Sequence, residues 1–289
     1  MGGEPQTALE AGRESRLWLQ NAGFIFVPFI IASAFAAWFG MNDIASAKAS
    51  FAEQSVIFQR KHNWIMCWLY TGTFGSFIGY SAGFPLLAKI QFPEVNALTY
   101  AFLGPLVGAL SRSLTGWVAD RWGGARVTFW VFVGMAIGVA GVLYFVSIGS
   151  WPGFFAMFLV LFFVSGVGNA STFQMIPAIT RSEMDRLMPT AEAAARTRQA
   201  DKESAAIIGF TSAIAAYGAF FIPKSYGTSI SLTGGPETAL WFFLVFYASC
   251  IAVTWWFYTR PGGLLHDVER GLARRSHAAE PAERSGSLT

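Results

Sequence analysis

Arg112 is the residue of this sequence whose type and position most clearly require a chemical explanation. It lies inside a long apolar run, whereas the 17 Asp and Glu residues lie in loops, tails or predicted helix ends. A guanidinium in hydrocarbon costs on the order of 3 kcal/mol even on insertion scales. One explanation is that the side chain snorkels toward the end of its helix near Asp120. The other is an internal anion site, because the planar fork of arginine suits a small planar oxyanion.

Two aromatic residues in the preceding apolar run could complete such an anion site. Tyr70 and Phe74 stand one helical turn apart among small residues, and Ser111 and Ser113 flank Arg112. Flat rings can sandwich a flat anion, and a hydroxyl can fix its orientation. Packing or lipid contact is the commoner role of a single aromatic residue, so the prediction depends on the whole set converging.

A short glycine-containing stretch in a later apolar run carries further polar groups. Gly166, Gly168 and Asn169 are followed there by Ser171 and Thr172. A buried asparagine is costly unless its amide is hydrogen-bonded. Its partner can be a substrate or a neighbouring helix, and the residues alone leave both explanations open.

A glycine-rich turn (residues 116–126) connects two apolar runs and carries several charges. Asp120 and Arg126 can pair with each other or with the next helix. Charge pairs at a short turn can hold helix ends in one conformation and release them in another. We therefore predict a conformational gate at this turn, formed by Gly116, Asp120, Arg121, Gly123, Gly124 and Arg126.

The composition identifies the environment of these residues as a lipid bilayer. The 289 residues are 54% hydrophobic and 13% charged, with a mean hydropathy of +0.44, whereas soluble domains carry about 25% charged residues. This composition excludes three classes of protein: a soluble enzyme, a disordered regulator and a nucleic-acid-binding module. No Asp, Glu or His is placed for acid–base work in the membrane, and Cys67 and Cys250 have no metal-binding neighbours. We expect a non-enzyme without cofactor or metal.

Apolar runs of about 20 residues predict the membrane spans. Seven such runs alternate with polar connections, between polar tails over 1–20 and 260–289. The runs are 21–40, 64–88, 97–119, 126–148, 152–179, 205–224 and 238–259. A polar loop over 180–204 is predicted to contain a short helix, because Glu192 and Arg196 are spaced for an i,i+4 pair.

The distribution of Lys and Arg predicts the orientation of the spans. Fifteen of these 20 residues fall on one side, in the connections 41–63, 120–126 and 180–204 and in the tail 260–289. Basic loops remain in the cytoplasm. We therefore expect a multi-pass protein of the cell (inner) membrane with an external N-terminus and a cytoplasmic C-terminus.

The glycine-rich turn and several apolar stretches together resemble a known family. Gly116-x-x-x-Asp120-Arg121-x-Gly123-Gly124-x-Arg126 resembles the cytoplasmic signature turn of the major facilitator superfamily. More narrowly, the chain resembles the NarK-type nitrate/nitrite porters of that superfamily, over nearly everything from about residue 20 to 259. The matching stretches are 37–44, 73–84, 91–93, 171–177 and 220–223.

This resemblance implies an all-α integral membrane fold with seven transmembrane helices. The family fold has twelve helices in two six-helix halves. Residues 21–40 resemble the last helix of the N-terminal half, 41–63 a cytoplasmic linker between the halves, and 64–259 the C-terminal six-helix bundle. About five N-terminal helices of the family have no counterpart in this sequence.

The resemblance also implies roles for individual residues. The substrate-binding residues would be Arg112, Tyr70, Phe74, Gly166, Gly168, Asn169, Phe173 and Ser212. The function would be nitrate and nitrite transport by alternating access, either as exchange of nitrate for nitrite or as proton-coupled nitrate uptake. The alternative is a truncated, non-transporting membrane protein, or a subunit that needs a separate chain for the N-terminal helices.

Overall fold

The computed structural model describes residues 6–10, 13–17, 23–41 and 50–271. The chain forms two compact units, Met1–Lys48 and Ala49–Thr289. Part of the predicted linker over 41–63 and most of the predicted tail over 260–289 lie outside the described residues. The same holds for Lys48, Arg274, Arg275 and Arg284, which contribute to the predicted orientation.

The first unit contains a short hairpin and one apolar helix. Strands β1 (Gln6–Glu10) and β2 (Arg13–Leu17) pair antiparallel, which adds a small non-helical element to the predicted polar tail. Helix α1 (Val27–Gly40) has a proline in its first turn, where the missing N–H would have no intrahelical partner. Its 14 residues rise about 21 Å, less than the roughly 30 Å of a hydrocarbon core.

The described residues of the second unit form helices joined by short connections. Its longer helices carry the residues of interest, and short 3₁₀ or π-helical segments interrupt them. The helices are α2 (Phe51–Gln54), α3 (Lys61–Tyr70), α4 (Ser76–Gln91), α5 (Leu103–Leu114), α6 (Gly116–Trp122), α7 (Gly124–Ser147), α8 (Trp151–Leu187), α9 (Ala193–Ala216), α10 (Gly218–Thr233) and α11 (Glu237–Thr254). The 3₁₀ segments are Ser55–Gln59 and Ala97–Tyr100, the π-helical segments are Thr71–Gly75 and Trp255–Thr259, and residues 266–271 are again helical.

Four helical stretches in the described part of the chain are long and apolar enough to cross a membrane. They are Gly124–Ser147, Trp151–Leu187, Ala193–Thr233 and Glu237–Thr259. The predicted span over 64–88 instead contains the π-helical segment, and the one over 97–119 is broken at Thr115, between α5 and α6. The structure thus supports a membrane-spanning helical unit, and the count of seven spans stays a prediction.

Helices α8 and α9 extend beyond the predicted spans. Together they reduce the predicted loop over 180–204 to a connection of five residues, 188–192. Ion pairs stabilise the polar ends: Arg196 Nε lies 3.0 Å from Asp185 Oδ1, and Arg181 lies 3.4 Å from Asp201. The polar extensions of both helices thus carry oppositely charged side chains that face each other.

Helix α8 is the centre of the second unit and packs against α5, α7 and α9. Small residues allow its close contact with α5: a Cβ added to Gly104 would lie 2.1 Å from the Phe162 ring. Buried rings fill the space toward the end at which α8 begins, including Phe84, Phe154 and Phe158. This packing fixes the position of the polar residues halfway along α8.

Candidate functional site

A buried hydrogen bond between α3 and α8 forms the middle of the candidate site. Tyr70 is the last residue of α3, and its hydroxyl donates to Asn169 Oδ1 over 2.9 Å. Tyr70 is 2% exposed and Asn169 is 1% exposed. Two residues that the sequence assigns to an anion site are therefore in contact. The hydrogen bond occupies the carbonyl oxygen of the Asn169 amide and leaves its nitrogen.

The other half of the Asn169 amide has no partner in the described residues. The Nδ2 atom is buried and makes no hydrogen bond. An unpaired buried donor costs about 1–3 kcal/mol. Asn169 Oδ1 accepts from Tyr70, and the Nδ2 group is a hydrogen-bond donor that is left without an acceptor among the described residues.

Phe74 adds an aromatic surface beside Tyr70. The two rings stack with centroids 5.2 Å apart and planes inclined by 18°. Phe74 lies in the π-helical segment Thr71–Gly75, four residues after Tyr70. Such π-helical turns frequently occur at functional sites.

Arg112 and Ser212 approach the same hydroxyl from two further helices. The charge of Arg112 and the hydroxyl of Ser212 both act on the Tyr70 hydroxyl. Arg112 lies in the last turn of α5 and is exposed on this chain, and Ser212 is half-buried on α9. Within the described residues Arg112 has no ion-pair partner. Tyr70, Arg112, Asn169 and Ser212 are called the polar centre below.

The two glycines of α8 act through helix spacing. A Cβ on Gly166 would lie 2.0 Å from Ser111 Oγ and 2.3 Å from the Gly108 carbonyl oxygen. A Cβ on Gly168 would lie 2.7 Å from Thr73 Cγ2. The glycines thus let α5, which carries Arg112, and the π-helical segment next to Tyr70 approach α8 closely.

Phe173 lies one turn beyond Asn169 on the same side of α8. Its side chain is 37% exposed. The described structure contains no ring contact between Phe173 and the stacked pair of Tyr70 and Phe74. Phe173 therefore stands next to the polar centre without joining it in this conformation.

The glycine-rich turn packs against the C-terminal part of α8, which is the cytoplasmic part in the predicted membrane orientation. The Gly116 carbonyl accepts a hydrogen bond from Gln174 Nε2 over 3.2 Å. A Cβ on Gly124 would lie 3.0 Å from the Ser171 carbonyl oxygen, so this turn also needs a small residue. Asp120 is exposed, and Arg121 is half-buried in the last turn of α6.

Arg126 pairs with a residue that the sequence analysis does not assign to the turn. Its Nε lies 4.0 Å from Oε2 of Glu269, which belongs to the helical residues 266–271. In place of the expected pairing with Asp120 or with the next helix, the structure thus places Arg126 near the helical residues 266–271. Glu269 is 143 residues away from Arg126 in the sequence, and spacing rules cannot detect such a contact.

A second buried ion pair also escapes the sequence analysis. Arg60 makes two hydrogen bonds of 2.8 Å to the carboxylate of Glu203, which is 3% exposed and also accepts from Gln199. Glu203 falls near the end of the predicted loop over 180–204, for which only a short helix is expected, but α9 begins at Ala193 and continues through it. The continuous run of helix-favouring residues before the apolar part is the signal that could have identified it.

Comparisons with known proteins agree with the sequence resemblance. No protein-family model matches the chain. The nitrate/nitrite transporter NarU of Salmonella typhimurium is 48% identical over 254 residues, which are 85% of this chain and 54% of that protein. NarU of Escherichia coli is 47% identical over 249 residues, or 84% and 54% of the two chains. The probable nitrate/nitrite antiporter NarK2 of Thermus thermophilus is 38% identical over 268 residues, or 90% and 56%.

The chain spans about half the length of the curated relatives it matches. The matched half is their C-terminal part. The resemblance to the NarK-type nitrate/nitrite porters, limited to that part, is therefore confirmed. The apolar helices and the transporter relatives together identify a multi-pass, helical membrane protein.

Proposed function

Because the chain matches the C-terminal part of nitrate/nitrite transporters, we propose that its second unit is one half of a nitrate/nitrite transporter that works by alternating access. In this proposal the polar centre forms one wall of the anion site, and the glycine-rich turn forms part of the gate. The location is the cell inner membrane, with the C-terminus in the cytoplasm.

The unpaired Asn169 amide is the observation that carries the proposal. Its Nδ2 donor is buried and unpaired next to Tyr70, where the positive charge of Arg112 also acts. Nitrate is a planar anion with acceptor oxygens and no donor. A ligand of this kind would satisfy the free donor and the arginine together, and its negative charge would strengthen both hydrogen bonds.

The other residues of the site have complementary roles. The guanidinium of Arg112 supplies charge and two parallel donors. The stacked rings of Tyr70 and Phe74 offer a flat apolar surface to the flat ion. The hydroxyl of Ser212 is positioned to orient the Tyr70 hydroxyl.

We propose exchange of nitrate for nitrite as the coupling mode. The side chains assigned to the polar centre include a guanidinium, an amide and hydroxyls, with no carboxylate or imidazole to carry a proton. Both nitrate and nitrite present acceptor oxygens to the same donors. Proton-coupled nitrate uptake is the competing mode, and a pH indicator inside proteoliposomes would detect it as acidification that accompanies nitrate entry.

Two substitutions test whether the Asn169 amide binds the anion. The measurement is nitrate binding to a chimera in which the N-terminal part of the Salmonella relative precedes this chain. Asn169→Leu removes the free donor, and we expect about 10- to 100-fold weaker nitrate binding, as for the loss of a hydrogen bond of 1.5–3 kcal/mol to a charged group. Tyr70→Phe keeps that donor and should weaken binding less.

The matched control is Asn63→Leu. Asn63 is likewise fully buried, with both amide atoms unpaired, but it lies about two turns from Tyr70 on α3. We expect this variant to bind nitrate like the parent chimera. Equal loss of binding in Asn63→Leu and Asn169→Leu, or normal binding in Asn169→Leu, would refute the assignment.

A further inference from the structure

The residues after the last helix return to the glycine-rich turn. Leu264 and Leu265 are 8% and 1% exposed, and the Leu264 N–H donates to the Phe257 carbonyl over 2.9 Å. The helical residues 266–271 follow, and the Glu269 N–H donates to the Leu265 carbonyl. Residues 264–271, called the C-terminal segment here, thus form an anchored element that presents Glu269 to the turn.

The glycine-rich turn has a shape that accommodates the Glu269 carboxyl group. Glu269 Oε1 accepts a 2.7 Å hydrogen bond from the N–H of Ala125, in the first turn of α7. N–H groups in a first helical turn have no intrahelical partner, so the carboxyl group satisfies one of them. Gly123 has φ +93°, and a Cβ on it would lie 2.4 Å from Glu269 Cδ. A side chain at position 123 would therefore collide with the docked carboxyl group.

The second carboxyl oxygen has no hydrogen-bond partner in the described residues. Glu269 is 4% exposed, and its Oε2 lies 4.0 Å from Arg126 Nε, beyond hydrogen-bonding distance. Glu269 and Gln174 line one crevice between the turn, α8 and the C-terminal segment, with a volume of about 290 Å³. Gln174 Oε1 is also buried and unpaired. The crevice thus contains two buried acceptor oxygens that make no hydrogen bond in the described residues, although Arg181 also lines it.

We propose that this crevice is a proton-binding site, in which protonated Glu269 docks the C-terminal segment onto the glycine-rich turn. A proton on Oε2 changes this oxygen from an unpaired acceptor into a donor, while Oε1 still accepts from Ala125. It also removes a buried negative charge that has only a distant counter-ion. Docking holds the turn in the conformation of this structure, whichever anion the protein carries.

The direction of the pH effect follows from burial. Burial raises the pKa of the Glu269 carboxyl from its usual 4.5 to about 7, although Ala125 and Arg126 oppose the shift. A carboxyl group whose pKa is higher when docked binds its proton more tightly in that state. Docking is therefore strongest at acid pH, and it weakens as the pH rises through about 7.

Other charged groups lie near Glu269, and the experiment must distinguish their effect on the pH dependence from that of Glu269. The turn contributes Asp120, Arg121 and Arg126, α8 contributes Arg181, and the C-terminal segment itself contributes His266, Asp267 and Arg270. His266 is the main rival, because its imidazole is a second group on the segment that can bind a proton. Its Nδ1 lies 3.0 Å from Asp267 Oδ1, so it has its own carboxylate neighbour.

Hydrogen exchange at the Ala125 amide tests the proposal on the purified 289-residue chain. Mass spectrometry follows this amide at pH 6 and pH 8, with labelling times scaled to the intrinsic exchange rate. We expect up to about tenfold faster scaled exchange at pH 8 in the unmodified chain. Glu269→Gln imitates the protonated group and should exchange slowly at both pH values, and His266→Gln should behave like the unmodified chain.

Glu269→Ala removes the docking group and should exchange rapidly at both pH values. If this variant fails to fold, the unmodified chain and Glu269→Gln still decide the question. Scaled exchange that does not change with pH in the unmodified chain would overturn the proposal. So would a pH response that persists in Glu269→Gln or disappears in His266→Gln.

Discussion

Arg112 combines a permanent charge with a planar pair of donors, and substitution can separate these two properties. Lysine keeps the charge and loses the fork, whereas alanine loses both. We expect Arg112→Lys to weaken nitrate binding by about 10- to 100-fold and Arg112→Ala to abolish it, because charge-assisted hydrogen bonds contribute about 1.5–3 kcal/mol. Nitrate titrations of the chimera at matched membrane expression provide the measurement.

The control for this substitution is Arg198→Lys, an exposed arginine on α9 that the polar centre does not include. It should leave nitrate binding unchanged. If Arg112 only snorkels to the membrane interface, lysine would replace it almost fully, since snorkelling needs length and charge alone. Near-normal nitrate affinity of Arg112→Lys would therefore mean that the anion site lies elsewhere.

At the residue scale, sequence reasoning identified side chains whose chemistry is unusual for their surroundings. An arginine and an asparagine in apolar runs require explanation, and the structure brings the asparagine together with Tyr70. The contact of Glu269 with the glycine-rich turn was not predictable, because neither residue type nor spacing links it to Ala125. The unpaired state of Asn169 Nδ2 likewise emerges only from the packed structure.

The separation of α5 and α8 depends on glycine, which gives a prediction at the scale of elements. Gly166→Ala would place a Cβ 2.3 Å from the Gly108 carbonyl oxygen, an atom of the α5 backbone that cannot rotate away. Overpacking of this kind typically costs about 1–3 kcal/mol. We expect this loss in the free energy of unfolding, measured by denaturant titration in detergent.

Gly209→Ala is the matched control, because it lies within α9 and nothing stands within 4 Å of its added Cβ. Alanine is the better helix former, so this variant should gain up to about 1 kcal/mol. A loss in Gly209→Ala as large as that in Gly166→Ala would show that the effect does not come from helix contact. We also expect Gly166→Ala to weaken nitrate binding, because it would push α5, which carries Arg112, away from α8, which carries Asn169.

The elements themselves were predictable where the sequence is apolar and less so where it is polar. The apolar runs over 126–148 and 238–259 correspond closely to α7 and to α11 with its π-helical end. The predicted loop over 180–204 is mostly helix, because hydropathy marks only the apolar part of a helix and misses polar extensions such as those of α8 and α9. The π-helical segment Thr71–Gly75 has no signal in an apolar pattern, yet it positions Phe74.

For the whole molecule, the glycine-rich turn and the C-terminal segment lie at the same end of the second unit. The distribution of Lys and Arg assigns the turn and the segment to the same side of the membrane, and their contact agrees with that assignment. The identity of that side as cytoplasmic stays a prediction from the distribution of Lys and Arg. Because the chain spans about half the length of its relatives, transport is best measured in the chimera.

Nitrate–nitrite exchange in proteoliposomes tests the central claim most directly. Vesicles that contain the chimera and are loaded with nitrite receive external labelled nitrate, and entry of the label is followed over time. The account predicts nitrate entry that requires internal nitrite and that Arg112→Ala and Asn169→Leu each abolish or severely reduce, while Arg198→Lys leaves it intact. Unchanged exchange in both Arg112→Ala and Asn169→Leu would contradict the account.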